Sequence, residues 1–138
     1  MRAPLRLLPL LLTVALAGCG QAQSSADDFE GAEKAVADKV EELQTAAQNR
    51  KPEDICSEVL ARSLVERLRT TDGDCVDEME KIAGDADDFE LDVTDVAITG
   101  TRATARVEAQ RGDRDDAVTS FAFAREDGEW RLTDLGSS

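Results

Sequence analysis

The stretch that decides the fold is residues 89–109, which read FELDVTDVAITGTRATARVEA. Apolar and polar residues alternate along it, as they do in strands that bury one face. The apolar residues take odd positions up to Val93 and even positions from Val96 to Ile98. A β-bulge near Thr94-Asp95 would produce this shift of parity and would bend the strand. We therefore predict a curved first strand.

Three more strands are predicted after that bend. Thr99-Gly100 turns the chain into the second strand, in which small apolar residues alternate with solvated ones. A polar loop at Gln110–Asp116 leads to a third strand at Val118–Arg125, and Asp127-Gly128 is a strong hairpin signal. The fourth strand covers Glu129–Leu135. The residues of these strands expected to face inward are Ala103, Ala105, Val107, Ala109, Phe121, Phe123, Trp130 and Leu132.

The residues before the sheet have a helical period instead. A long helix is predicted from Asp27 to Asn49, because Pro52 pushes the residue before it out of the helical region. A second helix runs from Pro52 through Leu68 with a break near Ser57, and a third from Asp74 to Ala83. The expected inward residues are Phe29, Ala32, Val36, Val40, Leu43 and Ala47 in the first helix and Val76, Met79 and Ile82 in the third. Helices followed by an antiparallel meander make an α+β architecture.

This order resembles small NTF2-like domains, which share a cystatin-like cone in which a strongly bent four-stranded sheet wraps around helices. The resemblance rests on the long first helix, the bulged strand and the ending Glu126-Asp127-Gly128-Glu129-Trp130-Arg131-Leu132. It implies one domain at residues 27–138. Larger members place a strand among the helices, and none is predicted here between Lys51 and Gly84. The inward Phe121, Phe123, Trp130 and Leu132 either fill the wide end of the cone or line a pocket there.

The first residues are predicted to direct export. Residues 1–18 combine two arginines, an apolar run and small residues, as a signal peptide does. The tetrapeptide Leu16-Ala17-Gly18-Cys19 resembles a bacterial lipobox, which implies that Cys19 carries lipid and becomes the new N-terminus. Residues 19–26 then form a flexible tether, and the protein sits on the extracytoplasmic side of a membrane. An ordinary secretory leader with an incidental Cys19 is the alternative.

Two cysteines remain in the domain, Cys56 and Cys75. An even pair in an exported protein predicts a disulfide. A redox-active or metal-binding pair is the alternative, but CxxC spacing is absent and the chain has no histidine to complete a metal site.

The amino-acid composition of the chain excludes several classes of function. The chain has 138 residues, with 16 Lys and Arg against 30 Asp and Glu, a net charge of −14, and neither His nor Tyr. Imidazole catalysis and histidine-ligated metals are therefore excluded, and an acidic surface disfavours nucleic acid as a partner. The acidic clusters lack the regular ligand spacing of a calcium loop, so neither a metal nor a cofactor is expected.

Two classes of function remain. The first is a non-catalytic binding module that takes a small apolar ligand in the cone or an envelope protein on the open sheet face. The second is an enzyme of the NTF2-like class, of isomerase, dehydratase or hydrolase type, that uses a single buried carboxylate. Asp95 at the predicted bulge is the candidate for that carboxylate.

Overall fold

The computed structural model describes residues 24–70, 72–84, 89–112 and 114–136. The predicted signal peptide at 1–18 and Cys19 lie outside these residues. The helices are a 3₁₀ turn at Ser25–Asp28, α1 at Gly31–Gln48, α2 at Pro52–Asp54, a π-helix at Ile55–Val59, α3 at Arg62–Leu68 and α4 at Cys75–Ala83. The strands are β1 at Phe89–Thr99, β2 at Arg102–Arg111, β3 at Arg114–Glu126 and β4 at Glu129–Asp134. None of the helices in the described ranges combines the length and apolar character that crossing a membrane requires.

The sheet is a four-stranded antiparallel meander in the order β1-β2-β3-β4. Its register shifts between Val93 and Asp95, so the predicted bulge is confirmed. The turn after Thr99 and the Asp127-Gly128 hairpin are confirmed as well. The predicted loop at 110–116 was too long, because β2 and β3 continue almost to their turn at Gly112, whose φ is +53°.

The core lies between α1 and the concave face of the sheet. Val36, Val40 and Leu43 are buried on α1 and face the buried alternate residues of the strands. Ala103, Ala105 and Val107 of β2 are small enough to let the helix approach closely, while the aromatic residues of β3 and β4 fill the remaining space. The α+β architecture is therefore as predicted.

The helical half departs from the prediction at three places. The first helix is interrupted before Gly31, whose φ of +59° separates the 3₁₀ turn from α1, and Ala32 is exposed rather than inward. The second helix breaks at Leu60 rather than at Ser57, because Leu60 is extended. In α4 the expected inward Ile82 is 49% exposed.

Both edges of the sheet are covered where the helices reach them. On β1, the backbone N–H of Leu91 donates to Gln44 Oε1 at 2.6 Å, and that of Val93 donates to Ser25 Oγ at 3.1 Å. On β4, the backbone N–H of Ala61 donates to the carbonyl of Leu132 at 2.8 Å. Free strand edges are sites of unwanted pairing between molecules, and these hydrogen bonds occupy backbone groups at both edges that would otherwise be open to it.

The stretch from residue 51 to 84 has no strand within its described residues. It has two isolated bridges instead, one between Leu60 and Leu132 and one between Thr70 and Gly73. The Leu60 bridge is parallel and lies on the edge of the sheet that β4 forms.

Cys56 and Cys75 form a disulfide with a Cα–Cα distance of 6.1 Å, so the predicted bridge is confirmed. It joins the π-helix to the first residue of α4 across a sequence separation of 19. Asp74 then caps α4, since its Oδ1 accepts hydrogen bonds from the backbone N–H groups of Val76 and Asp77.

Candidate binding cleft

A cleft of about 310 Å³ lies between the helices and the β3–β4 hairpin, outside the core. One wall is formed by the π-helix and α3, and the other by the end of β3 and by β4. The residues that line it are Cys56, Ser57, Leu60, Arg62, Val65, Glu66, Arg69, Glu126, Asp127 and Arg131. Three arginines and three carboxylates therefore share one small concavity in a chain whose net charge is −14.

The β3–β4 turn places two of the carboxylates against the start of α3. Asp127 and Gly128 have φ values of +53° and +84°, which a two-residue hairpin turn of type I′ requires. The backbone N–H of Arg62 donates to Glu126 Oε1 at 3.2 Å, and Arg62 Nη2 donates to Asp127 Oδ2 at 2.6 Å. Because Ala61 has no side-chain acceptor, Glu126 supplies the cap of α3 from the sheet.

Arg131 fixes the opposite side of the cleft. Its side chain is only 19% exposed, and its Nη1 donates to the carbonyl of Ser57 at 2.9 Å. The Nη2 atom donates to Glu129 Oε2 at 3.0 Å. Carbonyls at the end of a helix lack partners within it, and here an arginine from β4 satisfies that of Ser57. The π-helix and β4 are thereby held together.

Glu66 and Arg69 line the same cleft without such partners. They are one helical turn apart, on α3 and at its C-cap. Neither side chain forms an ion pair or hydrogen bond with any other residue in the described ranges. One positive and one negative group are therefore available to a ligand.

The apolar part of the cleft surface comes from Cys56, Leu60 and Val65. Leu60 is buried beneath the cleft, whereas Val65 and Cys56 are half-buried. The disulfide to Cys75, which is itself buried, holds the Cys56 side in place. The cleft thus combines a fixed apolar surface with charged groups at its margins.

The residues predicted as pocket lining lie elsewhere. Phe121, Phe123, Trp130 and Leu132 are all buried core residues with 5% exposure or less, and the cleft does not include them. Trp130 Nε1 is buried without a hydrogen-bond partner, and the Arg125 guanidinium lies 5.0 Å from the centroid of the Trp130 ring. These four side chains therefore belong to the hydrophobic core inside the cone.

Asp95, the candidate catalytic carboxylate, is exposed at the bulge. All residues that are buried in the described ranges are apolar. The same ranges contain no group of three or more Cys, Asp or Glu side chains placed to hold a metal ion.

The sequence reasoning missed every charged residue of the cleft. The sequence did contain one indication of the cleft. Residues 62–69 include Arg62, Arg67 and Arg69, which is a local concentration of positive charge in a chain that is acidic as a whole. The carboxylates that complete the cleft come from a turn about sixty residues later, which no local pattern connects to α3.

Comparison with known proteins identifies the fold. No protein-family model matches the sequence, and no curated protein matches it either. A solved structure described as "De novo designed NTF2 fold protein NT-9" is similar with a TM-score of 0.50 and 10% sequence identity. The match covers 77% of this chain and 87% of the designed one. The resemblance to NTF2-like domains is thus confirmed for the fold.

Proposed function

We propose that this chain is a lipid-anchored extracytoplasmic protein whose NTF2-like domain is a non-catalytic binding module, with the cleft between α3 and the β3–β4 hairpin as its binding site. The geometry of the cleft is the observation that supports this proposal. Its two walls are linked by the exposed Arg62–Asp127 ion pair, across 65 residues, and by the hydrogen bond from the partly buried Arg131 to the Ser57 carbonyl, across 74 residues. A binding site held in place before the ligand arrives loses less entropy on binding.

A binding role agrees better with the side-chain placement than an enzymatic one does. The enzyme hypothesis requires a carboxylate that is shielded from water, since burial is what raises a carboxyl pKa towards a useful range. Asp95 is exposed, and the acidic residues of the cleft are also accessible to solvent. The apolar-ligand hypothesis for the cone has less support than the cleft, because the aromatic residues pack in the core.

The extracytoplasmic location is supported by the disulfide. Structural disulfides persist in oxidising compartments and are rare in the cytosol. The Cys56–Cys75 bridge therefore agrees with the leader and lipobox at residues 1–19.

The anchor is tested with Cys19→Ser in the full-length chain. We expect the parent protein to take up a fatty-acid label and to sediment with membranes, and the variant to do neither. Ser24→Ala, at the position directly before the 3₁₀ turn, is the matched control and should behave as the parent. A Cys19→Ser protein that stays in the membrane fraction would show that the anchor is elsewhere.

The binding role is tested by native mass spectrometry of the mature protein purified from membranes in mild detergent. We expect a co-purifying small molecule on the parent protein that is lost from the Glu66→Gln/Arg69→Gln variant. Glu80→Gln/Arg106→Gln, which changes two exposed residues outside the cleft, is the control and should retain it. A bare parent protein, or an adduct that survives in the cleft variant, would contradict the proposal.

A further inference from the structure

Glu66 and Arg69, whose side chains have neither an ion pair nor a hydrogen bond within the described residues, define the class of ligand, and this inference rests on the proposed binding role. Glu66 and Arg69 line the same concavity and are three residues apart. Side chains at this spacing on a helix start from Cβ atoms about 5–6 Å apart. A ligand that bridges them must carry a positive and a negative group close together.

The charge of the whole protein favours the same kind of ligand. A net charge of −14 repels an anion as it approaches, even though the cleft contains three arginines. A cation would be attracted from a distance and could bind Glu66, but it would leave the Arg69 guanidinium in the same cleft without a partner. A zwitterion has no net charge to be repelled, and it satisfies both local groups.

The cleft surface between the charges is apolar. Leu60 and Val65 offer aliphatic contacts, and Cys56, which is bridged to Cys75, completes the apolar surface. The volume of about 310 Å³ is at the lower end of small-molecule sites, so it suits a compact ligand.

We propose that the cleft binds a free α-amino acid with an apolar side chain. The carboxylate of the ligand accepts hydrogen bonds from the Arg69 guanidinium, whose planar fork of donors matches a carboxylate. The ammonium group donates to Glu66, and the side chain lies against Leu60 and Val65. A longer peptide separates its two termini, so it offers only one of the two charges at a time.

The test is a titration of the ¹⁵N-labelled mature protein with L-leucine, N-acetyl-L-leucine and L-leucinamide, followed by amide chemical shifts. We expect L-leucine to cause saturable shifts confined to residues 60–69 and 126–131. Each derivative removes one charge, so each should bind at least tenfold more weakly. Derivatives that bind as tightly as L-leucine would overturn the assignment of the two charges.

The variants separate the ligand class from the binding role. Glu66→Gln and Arg69→Gln should each weaken L-leucine binding at least tenfold, while Glu80→Gln and Arg106→Gln should not change it. Circular dichroism and the mass of the oxidised protein verify that each variant is folded and bridged. Absence of any L-leucine shift overturns the inference. If the co-purifying molecule is nevertheless lost from the cleft variant, the binding role stands and only the ligand class fails.

Discussion

The side-chain oxygen of Gln44 on α1 accepts a hydrogen bond from the backbone N–H of Leu91 on β1, at 2.6 Å. The two residues are 47 positions apart in the chain. A backbone donor on the outer edge of the sheet is thus satisfied by a helix side chain rather than by another strand.

Replacing Gln44 with Ala should uncover that edge. We expect the free energy of unfolding to fall by about 1–2 kcal/mol, because a partly buried N–H loses its acceptor. We also expect concentration-dependent association, since an open strand edge pairs with other molecules. Urea unfolding and sedimentation velocity measure the two effects. Thr45→Ala, at an exposed neighbouring position on the same helix, is the control and should be nearly neutral. Equal behaviour of the two variants would contradict the capping role.

Glu126 should contribute to the stability of α3 from outside the helix. Glu126→Ala removes the acceptor of the Arg62 backbone N–H, so we expect a loss of about 1 kcal/mol, which is typical for an N-cap. Glu126→Gln keeps an acceptor oxygen and loses only the charge, so its effect should be smaller. Hydrogen exchange of the amides in the first turn of α3 gives a direct measurement, and unchanged exchange in the Ala variant would refute the cap.

Gly136 should tolerate alanine less well than Gly100 does. Both have a positive φ, +74° and +59° respectively, so alanine is strained at either position by about 1 kcal/mol. A methyl group at 136 would in addition lie 2.7 Å from the Ser120 carbonyl oxygen and would collide with the Thr119 hydroxyl, whereas at 100 it meets open space. Thermal unfolding of the two variants should rank Gly136→Ala below Gly100→Ala. The opposite ranking would mean that the C-terminal segment does not pack against β3.

The disulfide should make a large contribution to stability. Loss of a bridge between residues separated by 19 positions costs about 3 kcal/mol in the chain-entropy estimate. We therefore expect Cys56→Ala/Cys75→Ala to unfold at a lower denaturant concentration and to exchange its α4 amides faster than the rest of the domain. The parent protein treated with dithiothreitol should match the double variant. Unchanged stability in both cases would show that the bridge is dispensable for the fold.

The strands and turns of the sheet could be predicted because the residues that determine them are neighbours in the sequence. The parity change between Val93 and Val96 places the bulge, and the Asp127-Gly128 pair places the last hairpin, without reference to any distant residue. The ends of β2 and β3 were missed because the polar residues there lack the apolar alternation that marks a strand, although the pairing continues to Arg111 and Arg114.

The helical half depended on distant contacts and was predicted less well. The sequence of α4 offers two helical stripes that share Met79, one through Val76 and Ile82 and the other through Cys75 and Ala83. The disulfide turns Cys75 inward, so the second stripe is buried and Ile82 faces solvent.

The break at Leu60 likewise depends on its bridge to Leu132, 72 residues away. The cleft is missed for the same reason, because it exists only where α3 meets the hairpin.

Trp130 has a consequence for spectroscopy. It is the single tryptophan of a chain without tyrosine, and its indole is almost completely shielded from water. Its fluorescence should therefore be blue-shifted in the native protein and free of energy transfer from tyrosine, which the chain lacks. One fluorophore on the last strand then reports when the C-terminal hairpin closes over the core during refolding.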